Sequence, residues 1–197
     1  DRSKSELEEM LLFCVLVAGK PARRTAAQLE KLLEGHNNQP FARMRKYIRE
    51  GILPDKLKEY GFGQYNRLMR CFAELLTARL NLFQCTAADL DAIHGIGPKT
   101  AAFFITHSRL PKSIDEDEVI LDTHNMKHIA KNVEWLVQSG NLTIEQAQKI
   151  PKNTPSSEKG YQLYGNCFRA LVKRDSPRST MAEYDLNVWK SYARVSN

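Results

Sequence analysis

The stretch Leu90-Asp91-Ala92-Ile93-His94-Gly95-Ile96-Gly97-Pro98-Lys99-Thr100-Ala101-Ala102, followed later by Asp122-Thr123-His124-Asn125, decides how the chain is read. Gly95 and Gly97 flank a single apolar residue, so the backbone there is able to turn sharply, approach a ligand closely and take positive φ. Pro98 fits the first turn of a helix, where its missing N–H costs nothing. Upstream, Thr86 is placed to cap a short helix over Ala87 to Ile93. Downstream, Lys99 to His107 reads as a second helix containing Ala101, Ala102, Phe103 and Ile105. The expected arrangement is helix, tight turn, helix, over about residues 87–107. Free amides and the positive end of the second helix dipole would converge on one point, which suits a phosphate. Helical proteins often join helices with a Gly-x-Gly turn, so the turn alone leaves a plain connector open.

Outward from the turn, helical periodicity recurs along the chain. Ser5 and Glu8 stand at capping-box spacing before Leu7, Leu11, Leu12, Val15 and Leu16, and this first helix should stop near Gly19. Ala26 to Glu34, Phe41 to Glu50 and Pro54 to Tyr60 follow as helices. Gln64 to Leu80 is the clearest long one, with Leu68, Met69, Phe72, Leu75, Leu76 and Leu80 on one face. Pro111 to Glu118 is polar and acidic and reads as a surface loop. Asp122 stands at the mouth of a helix running to about Ser139, Thr143 caps another, Ser156 or Ser157 caps Glu158 to Lys173, and a last helix covers Met181 to Arg194. No segment alternates long enough to require a sheet, so the fold class expected is all-α.

The 197 residues suffice for a real core, in one domain or two joined lobes. Lys plus Arg number 29 against 23 Asp plus Glu, a net +6 that suits a polyanionic partner. The basic residues gather in runs: Lys20, Arg23 and Arg24; Arg43, Arg45, Lys46 and Arg49; Arg67 and Arg70; Lys127, His128 and Lys131. Each is either a solvated helix face or a row of phosphate contacts. Cys14, Cys71, Cys85 and Cys167 are too scattered for a zinc or iron–sulfur pattern, so neither is expected, and Cys14, Cys71 and Cys167 read as buried thiols. No secretory or membrane-spanning run is evident. An intracellular location, cytoplasm and nucleoid or nucleus, is expected, with no membrane partner and a monomeric state.

Taken together, the turn, Lys99 and the Asp122-Thr123-His124 sequence resemble the helix-hairpin-helix DNA glycosylase superfamily, the group that includes endonuclease III and 8-oxoguanine DNA glycosylase. Tyr60-Gly61-Phe62-Gly63-Gln64-Tyr65-Asn66-Arg67 is similar to that family's approach to the hairpin, and Leu11 to Leu33 to its first two helices. The likeness runs from about Leu11 to Ala130 and more weakly to about Val172. It implies two helical lobes within a single glycosylase-like domain over residues 1–197. The first and last helices would lie in one lobe and the hairpin in the other. The absence of closely spaced cysteines departs from endonuclease III.

By the same resemblance, Lys99 is the nucleophile of a bifunctional enzyme and Asp122 the carboxylate that stabilises the sugar cation, while Gly95, Gly97, Lys99 and His124 contact DNA. Phe103, Phe104 and Ile105 would give Lys99 apolar surroundings. The backbone carbonyls of Asp91, Ile93 and Ile96 would hold a structural Na+ or K+ against a DNA phosphate. His94 replaces the proline usual before the first glycine, which bears on hairpin rigidity. Lys20 is the candidate wedge for base flipping, and Tyr161, Tyr164 or Phe168 the candidate pocket aromatics, with ordinary core packing the other reading of that stripe. The partner implied is double-stranded DNA with a damaged or modified base, acted on by base excision and AP lyase cleavage. Two rivals stay open: a glycosylase-fold enzyme working on hypermodified thymine in phage-type DNA, and a non-catalytic DNA-binding module.

Overall fold

A computed structural model describes residues 2–35, 38–109 and 118–193. Among these residues every regular element is an α-helix, so the chain is all-α. They fall into two compact units, Asp1–Arg109 and Leu110–Asn197, each built on its own apolar core. No helix among the described residues is long and apolar enough to cross a membrane.

The first unit holds α1 (Lys4–Leu16), α2 (Ala22–Leu33), α3 (Pro40–Arg49), α4 (Leu53–Glu59), α5 (Tyr65–Thr77), α6 (Ala87–Asp91) and α7 (Pro98–Ser108). α1 is its centre, packed against α2, α3 and α7, and Leu11, Leu12, Val15 and Leu16 have no exposed surface. Truncating one of these leucines to alanine removes about 2–5 kcal/mol, because the cavity left behind cannot fully collapse. The capping box of α1 is formed by Ser3 and Glu6, with Glu6 N–H donating to Ser3 Oγ at 3.3 Å and Ser3 N–H to Glu6 Oε2 at 2.7 Å. This corrects the Ser5 and Glu8 pairing expected from spacing. Glu8 instead turns inward, where its Oε2 accepts the Phe41 N–H at 3.0 Å and so satisfies an orphan amide in the first turn of α3.

α5 buries Leu68, Cys71, Phe72, Leu75 and Leu76, a face repeating every three or four residues. It ends at Thr77, three residues short of the expected Leu80, because Arg79 takes a left-handed φ of 50°. α6 is capped as expected: Asp89 N–H donates to Thr86 Oγ1 at 3.1 Å and Thr86 N–H to Asp89 Oδ2 at 2.8 Å. α7 opens with Pro98 in its first turn.

The second unit holds α8 (Thr123–Lys131), α9 (Val133–Gln138), α10 (Ile144–Gln148), α11 (Glu158–Asp175) and α12 (Met181–Ala193). α8 packs on α11 and α12 around Met126, Ile129, Phe168, Leu171, Val172 and Met181. The expected continuous helix from Asp122 to Ser139 is broken at Asn132, whose Nδ2 donates to His128 O at 2.9 Å, the carbonyl that its own N–H also reaches at 3.2 Å. The first and last helices do not share a unit. α1 lies on α7, the helix that follows the Gly95 turn, whereas α12 belongs with α8 and α11. Of the acidic run expected as a surface excursion, Asp115, Glu116 and Asp117 lie outside the described residues.

Candidate functional site

The turn between α6 and α7 is closed by two backbone bonds, Ile93 N–H to Leu90 O and Ile96 N–H to Ile93 O, both at 3.0 Å. Buried Ile93 and Ile96 anchor it to the core. Gly95 has φ 82°, and a Cβ there would stand 3.1 Å from Arg67 Cγ and 3.4 Å from Cys71 Cβ, so both backbone angle and space demand glycine. Gly97 is different. Its φ of −101° and ψ of 175° are extended, and no atom lies within 4 Å of a modest Cβ. Among the described residues no side chain caps α7, so the N–H groups of Lys99 and Thr100 are left for an outside acceptor.

α5 grips this turn. Arg67 Nη1 donates to Gly95 O at 2.7 Å, Nη2 to Val15 O at 3.0 Å and Nε to Gln64 Oε1 at 2.7 Å. Gln64 itself is left-handed, with φ 50° and ψ 37°, a conformation costly for a residue with a Cβ. Two turns further along α5, Glu74 Oε2 accepts the His94 N–H at 2.7 Å and Oε1 accepts Arg70 Nε at 3.1 Å. The His94 amide, followed by Arg70, holds the Glu74 carboxyl below its ordinary value. A proline at 94 would lack that N–H; here the amide fastens the turn through a carboxylate. The sequence left Arg67 and Arg70 open between a solvated helix face and phosphate contacts; both are engaged within the unit. Arg70 pairs with Glu74 one turn on, a spacing the sequence shows, but nothing local signals that Arg67 reaches Gly95 28 residues away.

Gly95, Gly97, Lys99 and the carbonyl-bearing Asp91, Ile93 and Ile96 thus gather at one turn. The Ile93 carbonyl already accepts the Ile96 N–H, so it presents one remaining lone pair to a cation. Lys99 lies on the first turn of α7 and is exposed, with no hydrogen-bond or ion-pair partner among the described residues. The expected apolar surroundings are not drawn round it: Phe104 is buried in the core, and Phe103 lies 4.7 Å from the His107 ring. Lys20 stands after α1, its Nζ donating to Leu16 O at 2.9 Å and lying 5.8 Å from the Phe62 ring. Burial, reinforced by nearby Arg67, pushes its ammonium below the usual lysine value.

In the second unit, Asp122 is the N-cap of α8, and its Oδ1 accepts the N–H groups of His124 and Asn125, each at 2.8 Å. Among the described residues Oδ2 has no partner. The His124 ring turns toward α12, 6.4 Å from Trp189 edge-on and 6.4 Å from Tyr192, and its buried Nδ1 has no hydrogen-bond partner among the described residues. Trp189 is 45% exposed, so α8 opens beside a partly solvated aromatic cluster that sequence reading passed over. The i, i+3 pattern of α12 does contain Trp189 and Tyr192, but periodicity gives no reason to pair them with His124.

The aromatic stripe proposed as a base pocket is core instead. Phe168 is fully buried and Tyr164 nearly so. Tyr161 donates to Val119 O at 2.8 Å and accepts the Leu121 N–H at 3.2 Å, fastening the segment before Asp122 onto α11; burial pushes its hydroxyl up to about 12.

Cys14, Cys71, Cys85 and Cys167 are all buried, and burial pushes the Cys71 and Cys167 thiols up to about 11. Among the described residues no group of three or more His, Cys, Asp or Glu is placed to hold a metal ion. Compared with protein-family models, curated proteins and solved structures, the chain matches none.

Proposed function

We propose that this protein is a helix-hairpin-helix DNA glycosylase with AP lyase activity, acting on double-stranded DNA that carries a damaged or modified base. The observation that carries the reading is Lys99: exposed, unpartnered among the described residues, and set on the uncapped first turn of α7 directly behind the Gly95 turn. The amides of Lys99 and Thr100 offer hydrogen bonds to a backbone phosphate, and the carbonyls of Asp91, Ile93 and Ile96 offer the oxygen donors that a bridging Na+ or K+ would take.

The chemistry asks for a nucleophile and a fixed negative charge. In its neutral form, the Lys99 amine attacks C1′ as the bond from C1′ to the base breaks, and the base leaves with that electron pair and a proton. Loss of the amine proton and opening of the sugar at O4′ give an imine. Removal of a C2′ proton then expels the 3′ phosphate. Asp122 supplies a carboxylate whose Oδ1 is immobilised by two amides, leaving Oδ2 to face positive charge developing on the sugar. The half-exposed Trp189, beside His124, offers a ring for stacking an unpaired base.

A second reading, salt-dependent DNA binding without base release, is favoured by the exposure of Lys99, since a solvated ammonium on a first turn suits a phosphate as readily as a sugar. Borohydride trapping on duplexes with an abasic site, together with mass spectrometry of bases released from a panel of damaged and hypermodified duplexes, separates the two. The expected result is a covalent adduct on Lys99 that Lys99→Gln abolishes while duplex binding persists. Binding with neither adduct nor released base would replace the proposal by the second reading.

A further inference from the structure

The first unit carries a cavity remote in sequence from the hairpin, of about 410 Å³, lined by residues of α1, α3, the end of α5 and the loop after it. Its apolar wall includes Phe41, Leu75 and Phe83, and its charged groups are Lys4, Arg45, Arg79 and Glu8. Three cations face one carboxylate, which leaves an excess of positive charge close to what a phosphate monoester carries in negative charge near neutral pH. Glu8 is accounted for locally, with Oε2 on the Phe41 N–H at 3.0 Å and Oε1 3.9 Å from Lys4 Nζ, so the uncommitted charge is on the two arginines. Arg45 is held by one nitrogen, Nε to Leu76 O at 3.3 Å, and its guanidinium carbon lies 6.0 Å from the Phe41 ring. Its terminal nitrogens stay available for an anion.

Arg79 is the second observation. It follows the C-cap of α5 with φ 50°, at a position where glycine is the usual residue because a Cβ is strained there. The chain bears that strain with an arginine whose side chain lines the cavity and has no hydrogen-bond or ion-pair partner among the described residues. The loop beyond is equally deliberate. Asn81 Oδ1 accepts the Phe83 N–H and Nδ2 donates to Gln84 Oε1, both at 3.1 Å, and in that hydrogen-bonded turn Phe83 is 53% exposed. An ordered loop holding a large aromatic in water is preorganised for a planar apolar group.

We propose that this cavity binds a nucleoside monophosphate, with the phosphate on Arg45 and Arg79 and the base against Phe83. The volume lies in the range of small-molecule sites, whereas an acidic peptide would need an extended groove. The inference is independent of glycosylase activity, since none of these residues belongs to the hairpin or to α8.

Calorimetric titration of the full chain with dAMP, inorganic phosphate and deoxyadenosine tests it. Saturable dAMP binding is expected, with each half-ligand at least about tenfold weaker, because only the nucleotide engages both arginines and the aromatic wall. Arg79→Gly should weaken dAMP binding about tenfold or more and at the same time raise the melting temperature by about 2–4 °C, since glycine relieves the left-handed strain. Phe83→Ala should weaken dAMP binding but leave phosphate binding unchanged. Opposite movement of affinity and stability in Arg79→Gly is the signature of a residue kept for a ligand. No saturable dAMP binding, affinity no better than that of phosphate, or affinity indifferent to both substitutions overturns the proposal.

Discussion

The Arg67 guanidinium holds the Gly95 carbonyl from 28 residues away, Nη1 to oxygen at 2.7 Å, while the same side chain reaches Val15 at the end of α1. One half-buried cation therefore ties the Gly95 turn to two helices. Arg67→Met keeps much of the stem but leaves both carbonyls without their donor, and hydrogen bonds to charged groups are worth about 1.5–3 kcal/mol. The expected loss of stability is about 2–3 kcal/mol in urea unfolding, with faster amide exchange at Ile96. Arg67→Lys should rescue only partly, because an ammonium cannot span the fork. Unchanged exchange at the turn would mean that Ile93 and Ile96 alone hold it.

Gly95 and Gly97 should part company. Gly95→Ala meets both a positive φ and a contact at 3.1 Å, so it should cost about 1–2 kcal/mol. Gly97→Ala sits in extended backbone with open space and should be neutral to stability, or gain up to about 1 kcal/mol by restricting the unfolded chain. If the hairpin amides meet a phosphate, Gly97→Ala nevertheless weakens damaged and undamaged duplexes alike, as a contact that reads no sequence must. Thermal unfolding and fluorescence titration at matched salt give the two answers separately.

At Asp122 the capping role and the charge are separable. Asparagine keeps an oxygen for the N–H groups of His124 and Asn125, so Asp122→Asn should leave stability within about 0.5 kcal/mol, whereas Asp122→Ala should lose about 1 kcal/mol. Under the proposed function, Asp122→Asn still slows single-turnover base release at least about a hundredfold. A rate loss confined to the alanine variant would make Asp122 a cap and nothing more.

Acid sensitivity should centre on His128. Its Nε2 lies 2.9 Å from the Tyr184 hydroxyl, which in turn is 2.7 Å from Asp175 Oδ2. Arg174 and the Tyr184 bond hold Asp175 below its ordinary value, so Tyr184 donates to that carboxylate and accepts from His128, which fixes the Nε2–H tautomer and turns Nδ1 to the Tyr192 hydroxyl. Burial pushes His128 below its ordinary value, against the pull of Asp175 and with a smaller push from Arg174 and Lys131. The folded protein then binds the proton less well than the unfolded chain. Stability is full above the unfolded histidine value of about 6.5 and falls as pH drops below it. The urea midpoint should decline between pH 7 and 5, and His128→Gln should flatten that slope. Nitrogen-15 shifts reporting the Nδ1–H tautomer would contradict the network.

Short-range relations in this protein were legible before any coordinate. Thr86 capping α6, Pro98 opening α7 and Asp122 capping α8 are relations within three residues, set by residue type and spacing alone. The all-α class followed from helical periodicity, which is likewise a local property. Partner choice was decided only by the tertiary structure. Ser5 and Glu8 had the spacing to cap α1, yet Ser3 and Glu6 form the cap and Glu8 accepts the Phe41 amide 33 residues on. Tyr161, Tyr164 and Phe168 announced an aromatic face but not what would cover it, and the segment before α8 together with α12 made it core. His94 interrupted the hairpin pattern in sequence, yet its N–H is the group that Glu74 grips. The physical reason is the same each time. Periodicity says which side of a helix is apolar and capping says where it starts, but a buried polar group takes whichever partner folding brings within 3 Å, and that is settled by residues far away in the chain.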